Sequence, residues 1–302
     1  MKILVASSSP LAKNLLNHIK SSDHQLLGGI SSPDRASGRG QSVSSNEFAS
    51  YCQEIGVTCY KPSTNEELAG ILQKTHVELV ITLAYGRLIK TSELQIPKHG
   101  WLNVHFSLLP RWRGAAPVQR AIAAGDEQSG VTVFKLEQGL DTGPIYSTLS
   151  YPLNDRSRSD EVLKDLSSLC IQPVNQALIM IAAGEPASTQ ETKGVTLAPK
   201  ILKSEGKIDW NRDSKMLDRQ IRAFQPWPGA YTSFNGTRIE IIEARVSDAD
   251  GAVGEVISLN PLLIGTGSGS LEIIRVKPEN KREMSSSDWL RGARITLPCA
   301  FE

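Results

Sequence analysis

Apolar residues in the first half of the chain follow two alternating rhythms. Residues 3–6, 26–30, 79–84 and 101–106 are short apolar runs of the length a buried strand needs. Between them the spacing changes to that of helices. Over residues 10–20, Leu11, Leu15, Leu16 and Ile19 fall on one helical face, with Ser9 placed to cap it. Residues 47–55, 66–74 and 115–124 predict further helices, the last with Pro117 in its first turn, and residues 58–60 predict a short strand. Residues 131–136 and 145–151 read as paired strands, followed by a long helix over about 160–183. This alternation predicts an α/β fold, a Rossmann-like, largely parallel sheet with helices on both faces.

Beyond residue 184 the rhythm shifts again. Residues 184–205 are polar and carry Pro186, Gly194 and Pro199, which reads as an interdomain linker. Then come short apolar or alternating runs at 230–234, 238–244, 253–259, 262–265 and 271–276, separated by Asn235-Gly236, Asp250-Gly251 and Asn260-Pro261. A single helix over about 214–223 precedes them. Closely spaced strands with turn signals predict a small, OB-like β-barrel. The expected division is a catalytic domain over 1–184, a linker over 185–205 and a barrel over 206–302.

Composition narrows the chemistry. The 302 residues are 40% hydrophobic and 22% charged, in the ordinary range for a globular chain. The formal net charge of +1 supplies no global field to attract nucleic acid, so any such contact must come from local patches. Cys52, Cys59, Cys170 and Cys299 form no C-x-x-C pair and no zinc spacing, which fits a reducing compartment. No apolar run approaches 18 residues and no charged-then-apolar leader is seen, so neither a membrane span nor secretion is expected, and the cytoplasm is the expected compartment. The turn after the first strand, Ser7-Ser8-Ser9-Pro10, lacks the G-x-G-x-x-G of dinucleotide sites, which argues against NAD or FAD.

The candidate chemistry lies at residues 103–117 and 139–143. On a strand over 101–106, Asn103 and His105 share a face, about 7 Å apart. Pro110 stops the strand, so both lie near its carboxyl end, where open α/β sheets bind ligands. Asp141 sits in a turn between Gly139 and Gly143. An imidazole moves protons near pH 7, an amide N–H stabilises a developing oxyanion, and a carboxylate orients an imidazole. Together these are the services that acyl transfer to an amine requires.

The run Asn-Val-His-Phe-Ser-Leu-Leu-Pro-Arg-Trp-Arg-Gly-Ala-Ala-Pro, followed by Gly-Leu-Asp-Thr-Gly, resembles the methionyl-tRNA formyltransferases, within the 10-formyltetrahydrofolate-dependent formyltransferases. Ile208-Asp209-Trp210 and the stretch Ile221-Arg222-Ala223-Phe224-Gln225-Pro226-Trp227-Pro228-Gly229-Ala230 extend the likeness into the second half. The resemblance implies formyl transfer from 10-formyltetrahydrofolate to the α-amino group of initiator methionyl-tRNA, with no metal. It implies catalytic roles for Asn103, His105 and Asp141, with Asp141 orienting His105 and raising its pKa. His105 would either accept the amine proton or stabilise the tetrahedral intermediate. Folate contacts are implied at Ser107, Leu108, Leu109 and Pro110, and at Tyr85 and Gly86 in the loop bordering the pterin pocket.

For tRNA, the resemblance points to the loop over 32–41, with Arg39 first and Arg35 second, and to Arg111 and Arg113 around Trp112. It also implies a tRNA-binding barrel, although 13 Lys and Arg against 14 Asp and Glu leave residues 205–302 at a net −1. Nothing in the sequence demands more than a monomer. N-formyltransferases acting on a small amine such as a sugar-nucleotide share the Asn/His/Asp trio, but the arginine-bearing loop and the Trp-Arg-Gly-Ala-Ala-Pro run favour the tRNA-directed branch. Three positions depart from the family pattern: the first turn, where Ser-Ser-Pro-Leu-Ala lacks an apolar Phe, and Phe106 and Arg87. Phe106 is expected to face away from the site because it alternates with His105.

Overall fold

The computed structural model describes residues 1–37 and 42–302. In chain order its elements are β1 (Lys2–Ala6), α1 (Lys13–Ser21), β2 (Gln25–Ile30), β3 (Arg35–Ser37), β4 (Ser42–Ser44), α2 (Glu47–Glu54), β5 (Cys59–Tyr60), α3 (Asn65–Thr75), β6 (Leu79–Thr82), α4 (Thr91–Leu94) and β7 (Trp101–His105). These are followed by β8 (Arg113–Gly114), α5 (Pro117–Ala124), β9 (Gln128–Lys135), β10 (Ile145–Pro152), α6 (Ser159–Leu169), α7 (Ile171–Ala183) and β11 (Leu197–Ala198). The remainder is α8 (Ser214–Ala223), β12 (Ala230–Phe234), β13 (Thr237–Ser247), β14 (Val256–Leu259), β15 (Leu262–Gly265), β16 (Ser270–Pro278), β17 (Met284–Ser285) and α9 (Ser286–Ala293). The chain forms two compact units. One comprises Met1–Pro117, Gln128–Pro152 and Leu163–Pro199; the other comprises Val118–Glu127, Leu153–Val162 and Lys200–Glu302.

The first unit is built on a seven-stranded sheet in the order β10-β9-β7-β6-β1-β2-β5. β5, β2, β1, β6 and β7 are mutually parallel, while β9 is antiparallel to β7 and β10 antiparallel to β9. The central strands are apolar on both faces, as a covered parallel sheet requires: residues 3–6 of β1 and all of β6 are buried. The strand order reverses at β1, with β2 on one side and β6 then β7 on the other, so the carboxyl ends of β1, β6 and β7 border the crevice where such sheets bind ligands.

The helix expected over 160–183 is observed as α6 and α7, broken at Cys170. Pro173 has no N–H to give the carbonyl of Leu169, so an unbroken ladder cannot pass through it. As one run of 25 residues, 159–183 is apolar enough by length and composition to cross a membrane. Its buried residues nevertheless include a stripe of Val162, Leu166, Cys170, Val174, Ala177, Leu178 and Ile181 at helical spacing. The α7 part of that stripe packs on β9 and β10.

The second unit carries an antiparallel sheet in the order β12-β13-β16-β15-β14, with β17 beside β16. Residues 299–302 close it. The Val256 N–H donates to Cys299 O at 2.9 Å and the Phe301 N–H to Gly254 O at 2.8 Å, while on the other side the Glu302 N–H donates to Ser233 O at 3.0 Å. Bridging β12 to the β14 edge turns an open sheet into a barrel and pairs edges that would otherwise be exposed. Phe301 fills the interior against Phe234, Trp289 and Trp210, with ring centroids 4.9, 5.9 and 6.0 Å away. Phe301→Ala should therefore lower the unfolding free energy by about 3–5 kcal/mol, read as a lower urea midpoint at unchanged slope; a loss under about 1 kcal/mol would show that the ring does not hold the closure.

Candidate active site

Asn103 and Thr82 are register partners on β7 and β6. The Thr82 hydroxyl, buried in an otherwise apolar strand, donates to Asn103 Oδ1 at 2.7 Å, with Leu102 O the longer alternative acceptor at 3.1 Å. With its oxygen engaged, the Asn103 amide has its Nδ2 hydrogens to donate elsewhere. His105 follows two residues on. It is 5% exposed, and its ring meets the edge of Phe134 at 6.3 Å. Nε2 lies 2.8 Å from the carbonyl of Trp112. A carbonyl only accepts, so Nε2 carries the proton and the lone pair of the neutral ring is on Nδ1. Nδ1 faces Asp141 Oδ2 at 3.8 Å.

Asp141 comes to this position on the loop between β9 and β10. Its φ is +49°, in the left-handed region. The Gly114 N–H donates to Asp141 Oδ2 at 2.8 Å. Gly143 is needed because a Cβ there would collide with the carbonyl of Lys135. Gly114, at φ +130°, passes so close to the Ala198 carbonyl that a side chain has no room. Burial sets the proton affinity of His105. Desolvation pushes its pKa down, the Asp141 carboxylate and the Trp112 carbonyl push it up, and burial wins, so the net shift is below 6.5. Asp141 thus acts in the expected direction without prevailing.

The turn after β7 is held by Thr132 of β9. Its hydroxyl donates to Ser107 O at 2.7 Å and accepts from the Leu109 N–H at 3.2 Å. The Ser107 hydroxyl is buried and donates to Arg111 O at 2.7 Å. The Leu108 side chain lies over Gly130, and Leu109 is buried; Phe106 is buried as well. Arg111 stacks its guanidinium on Trp112, 4.5 Å from the ring centroid. Arg113 donates to Gln190 Oε1 from Nη2 at 2.6 Å and from Nε at 3.2 Å. Residues 188–198, expected as linker, lie along this turn. The Trp112 N–H donates to Thr196 Oγ1 at 2.9 Å, and β11 pairs with β8.

The loop after β6 differs in character. The Tyr85 ring is buried in the core with Leu4, Val80 and Trp101, while its carbonyl accepts from Ser8 Oγ at 3.4 Å. Ala84 and Gly86 are exposed at φ +51° and +70°, the space around Gly86 is open, and Leu88 is 84% exposed. A free apolar side chain beside irregular backbone suits a flat heteroaromatic ring. Arg87 is structural: it donates to Pro62 O at 2.7 Å and Asn65 Oδ1 at 2.8 Å. In the first turn, Ala12 is fully buried where the family pattern has its Phe. Arg35 is exposed on the β3-β4 hairpin, whose base is tied by Lys61 to Asp34 at 2.7 Å. Arg39 lies outside the described residues. Among the described residues no three His, Cys, Asp or Glu side chains gather to hold a metal.

The structure therefore brings Asn103, His105 and Asp141 together. It also adds groups that the sequence reading missed. The Trp112 carbonyl has no side-chain signature. Thr82 and Thr132 do have one, being polar residues within apolar runs, whereas Gln190 lies in a polar stretch with no such signal.

The chain matches the formyl transferase family over residues 1–169 and the formyl transferase C-terminal domain over residues 200–294. It is 35% identical to a methionyl-tRNA formyltransferase of Rhodococcus erythropolis, covering 98% of each chain. It is 36% identical to one of Jannaschia, covering all of both. Solved structures share the fold. A methionyl-tRNA formyltransferase from Clostridium thermocellum has a TM-score of 0.60 at 16% identity, over 83% of this chain and 95% of that one. HypX from Aquifex aeolicus in complex with tetrahydrofolic acid has a TM-score of 0.67 at 17% identity, over 96% of this chain; this chain spans 46% of HypX.

An NMR titration of the His105 ring should give a midpoint below 6.5, and Asp141→Asn should lower it further, because the lost carboxylate favoured the imidazolium. The unfolded chain then binds this proton more readily than the folded one, so His105 withdraws stability as pH falls below the unfolded value. A midpoint at or above 6.5 would contradict the assignment.

Proposed function

This chain belongs to the formyl transferase family, and we infer that it transfers the formyl group of 10-formyltetrahydrofolate to the α-amino group of initiator methionyl-tRNA. The observation that carries this reading is the full-length match, 98% of both chains, to a relative bearing that activity in its name. The convergence of Asn103, His105 and Asp141 at one strand end supports it. The product is N-formylmethionyl-tRNA for translation initiation, and tetrahydrofolate leaves.

In this reaction the amine nitrogen attacks the formyl carbon and the C–N bond to folate N10 breaks. Asn103 Nδ2 donates to the formyl oxygen as negative charge grows there; losing such a donor costs about 3–4 kcal/mol of transition-state stabilisation. His105 Nδ1 holds the lone pair that takes the amine proton, and the carboxylate beside it stabilises the resulting imidazolium. The depressed pKa keeps that lone pair free at neutral pH. The proton is returned to N10 of the departing tetrahydrofolate, so protons balance over a turnover.

The folate assignment rests on the backbone of residues 85–86, beside exposed Leu88, and on the turn 107–110. Ser107 and Leu109 are buried and the Ser107 hydroxyl is spent on Arg111 O, so the turn contributes backbone and shape rather than that hydroxyl. For tRNA, the reading assigns Arg35 on β3, Arg39, which lies outside the described residues, and Arg111 stacked on Trp112, with Arg113 beside it. The barrel unit over 206–302 would add grip through local patches. The trio comes from one chain, which supports a monomer, and initiator tRNA supports a cytoplasmic location.

Formylation should occur with charged initiator tRNA and not with charged elongator tRNA or free methionine; activity on none of the three would overturn the reading. His105→Ala and Asp141→Asn should each lower kcat by about 10²–10⁴ while KM moves little. Arg35→Ala should raise KM for tRNA and flatten the log–log salt slope by up to about 0.9, the value of one phosphate contact; an unchanged slope would return that arginine to the solvent.

A further inference from the structure

Gln190 belongs to none of the roles above, yet it is 8% exposed and every polar atom of its side chain is used. Nε2 donates to the carbonyls of Asp141 and Gly143, both at 2.8 Å. Oε1 accepts from Arg113 Nη2 at 2.6 Å and from Nε at 3.2 Å. An amide nitrogen has two hydrogens, and here each has a carbonyl. Those carbonyls belong to the turn in which Asp141 adopts a left-handed φ of +49°. Side chains hold such a conformation only where their surroundings over-determine it. At its other end Gln190 grips Arg113, whose chain neighbour Gly114 presents the N–H that binds the Asp141 carboxylate. One side chain thus joins the backbone that carries the carboxylate to the strand that receives it.

We propose that Gln190 is a positioning residue for formyl transfer, an amide clamp that keeps the Asp141 carboxylate aligned with His105 Nδ1. The proposal rests on the functional reading above. Without the clamp the turn over 139–143 relaxes and Asp141 Oδ2 leaves its place 3.8 Å from the ring. Among the described residues around His105, Asp141 is the charged one, beside the Trp112 carbonyl and the Phe134 ring. The imidazolium formed during turnover would then lose its counter-charge. The loss should appear in kcat and not in KM, since Gln190 is bonded to the chain itself on both sides.

The test compares Gln190→Ala and Gln190→Glu with Asp141→Asn and the double variants, assayed with charged initiator tRNA and 10-formyltetrahydrofolate. Gln190→Ala should lower kcat by up to about 100-fold, the scale of a misplaced catalytic group. Gln190→Glu keeps an acceptor for Arg113 but sets carboxylate oxygens against two carbonyls, so it should not rescue. Because Gln190 acts through Asp141, adding either substitution to Asp141→Asn should cost little more. Fully additive losses, or wild-type kcat in Gln190→Glu, would overturn the proposal. The His105 titration is a readout independent of turnover. Its midpoint should fall in folded Gln190→Ala, in the same direction as expected for Asp141→Asn, and an unchanged midpoint would also overturn the proposal. If Gln190→Ala fails to fold, Gln190→Glu and its double variant carry the same kinetic test. A wild-type protein inactive on methionyl-tRNA would sink the functional reading while leaving the titration to judge the clamp.

Discussion

A histidine that is 5% exposed must have both ring nitrogens accounted for within the protein, and the first unit is organised around that constraint. Nε2–H is satisfied by a main-chain carbonyl, which fixes the tautomer and leaves the reactive lone pair on the opposite side of the ring. Desolvation keeps the ring neutral, and the carboxylate 3.8 Å away limits how far the affinity falls. Neither effect would operate on an exposed strand end. The buried strands β6 and β9 on either side of β7 supply the dry environment and, through Thr82 and Thr132, the few hydroxyls that orient what must stay polar there.

The parts of the fold legible in the sequence were those encoded in local periodicity. The parallel strands of the first half announced themselves as short apolar runs, and the hairpin of β9 and β10 as two runs divided by a glycine-flanked turn. Ser9 was read as a cap, and its hydroxyl accepts from the Leu11 N–H. The break at Cys170 was encoded too, in Pro173, but an apolar stripe continuous on both sides of it masked the signal. Barrel closure was less accessible. Residues 299–302 pair with strands more than forty and more than sixty residues earlier in the chain, and four residues carry no period of their own.

At the site, Asn103 and His105 could be placed together because alternation on a strand is local geometry. Asp141 could be placed only by resemblance, since a turn does not declare which strand end it returns to. Gln190 fell in a polar, proline-bearing segment that reads as connection, and only tertiary contact reveals it as buried and fully bonded. The net shift of His105 lies beyond the sequence for a similar reason. A neighbouring carboxylate can be read from sequence, whereas the depth of burial that outweighs it cannot.

The contact between Gly114 and Asp141 has a consequence for variation. The donor is a peptide N–H, common to nineteen of the twenty coded residues, so scarcely any codon change at 114 removes it outright. Glycine is demanded there by the nearby Ala198 carbonyl and not by the hydrogen bond. The carboxylate's anchorage is therefore inherited with the path of the chain. It is lost by bending that path, which any side chain at 114 would force, and not through the chemistry of the residue itself.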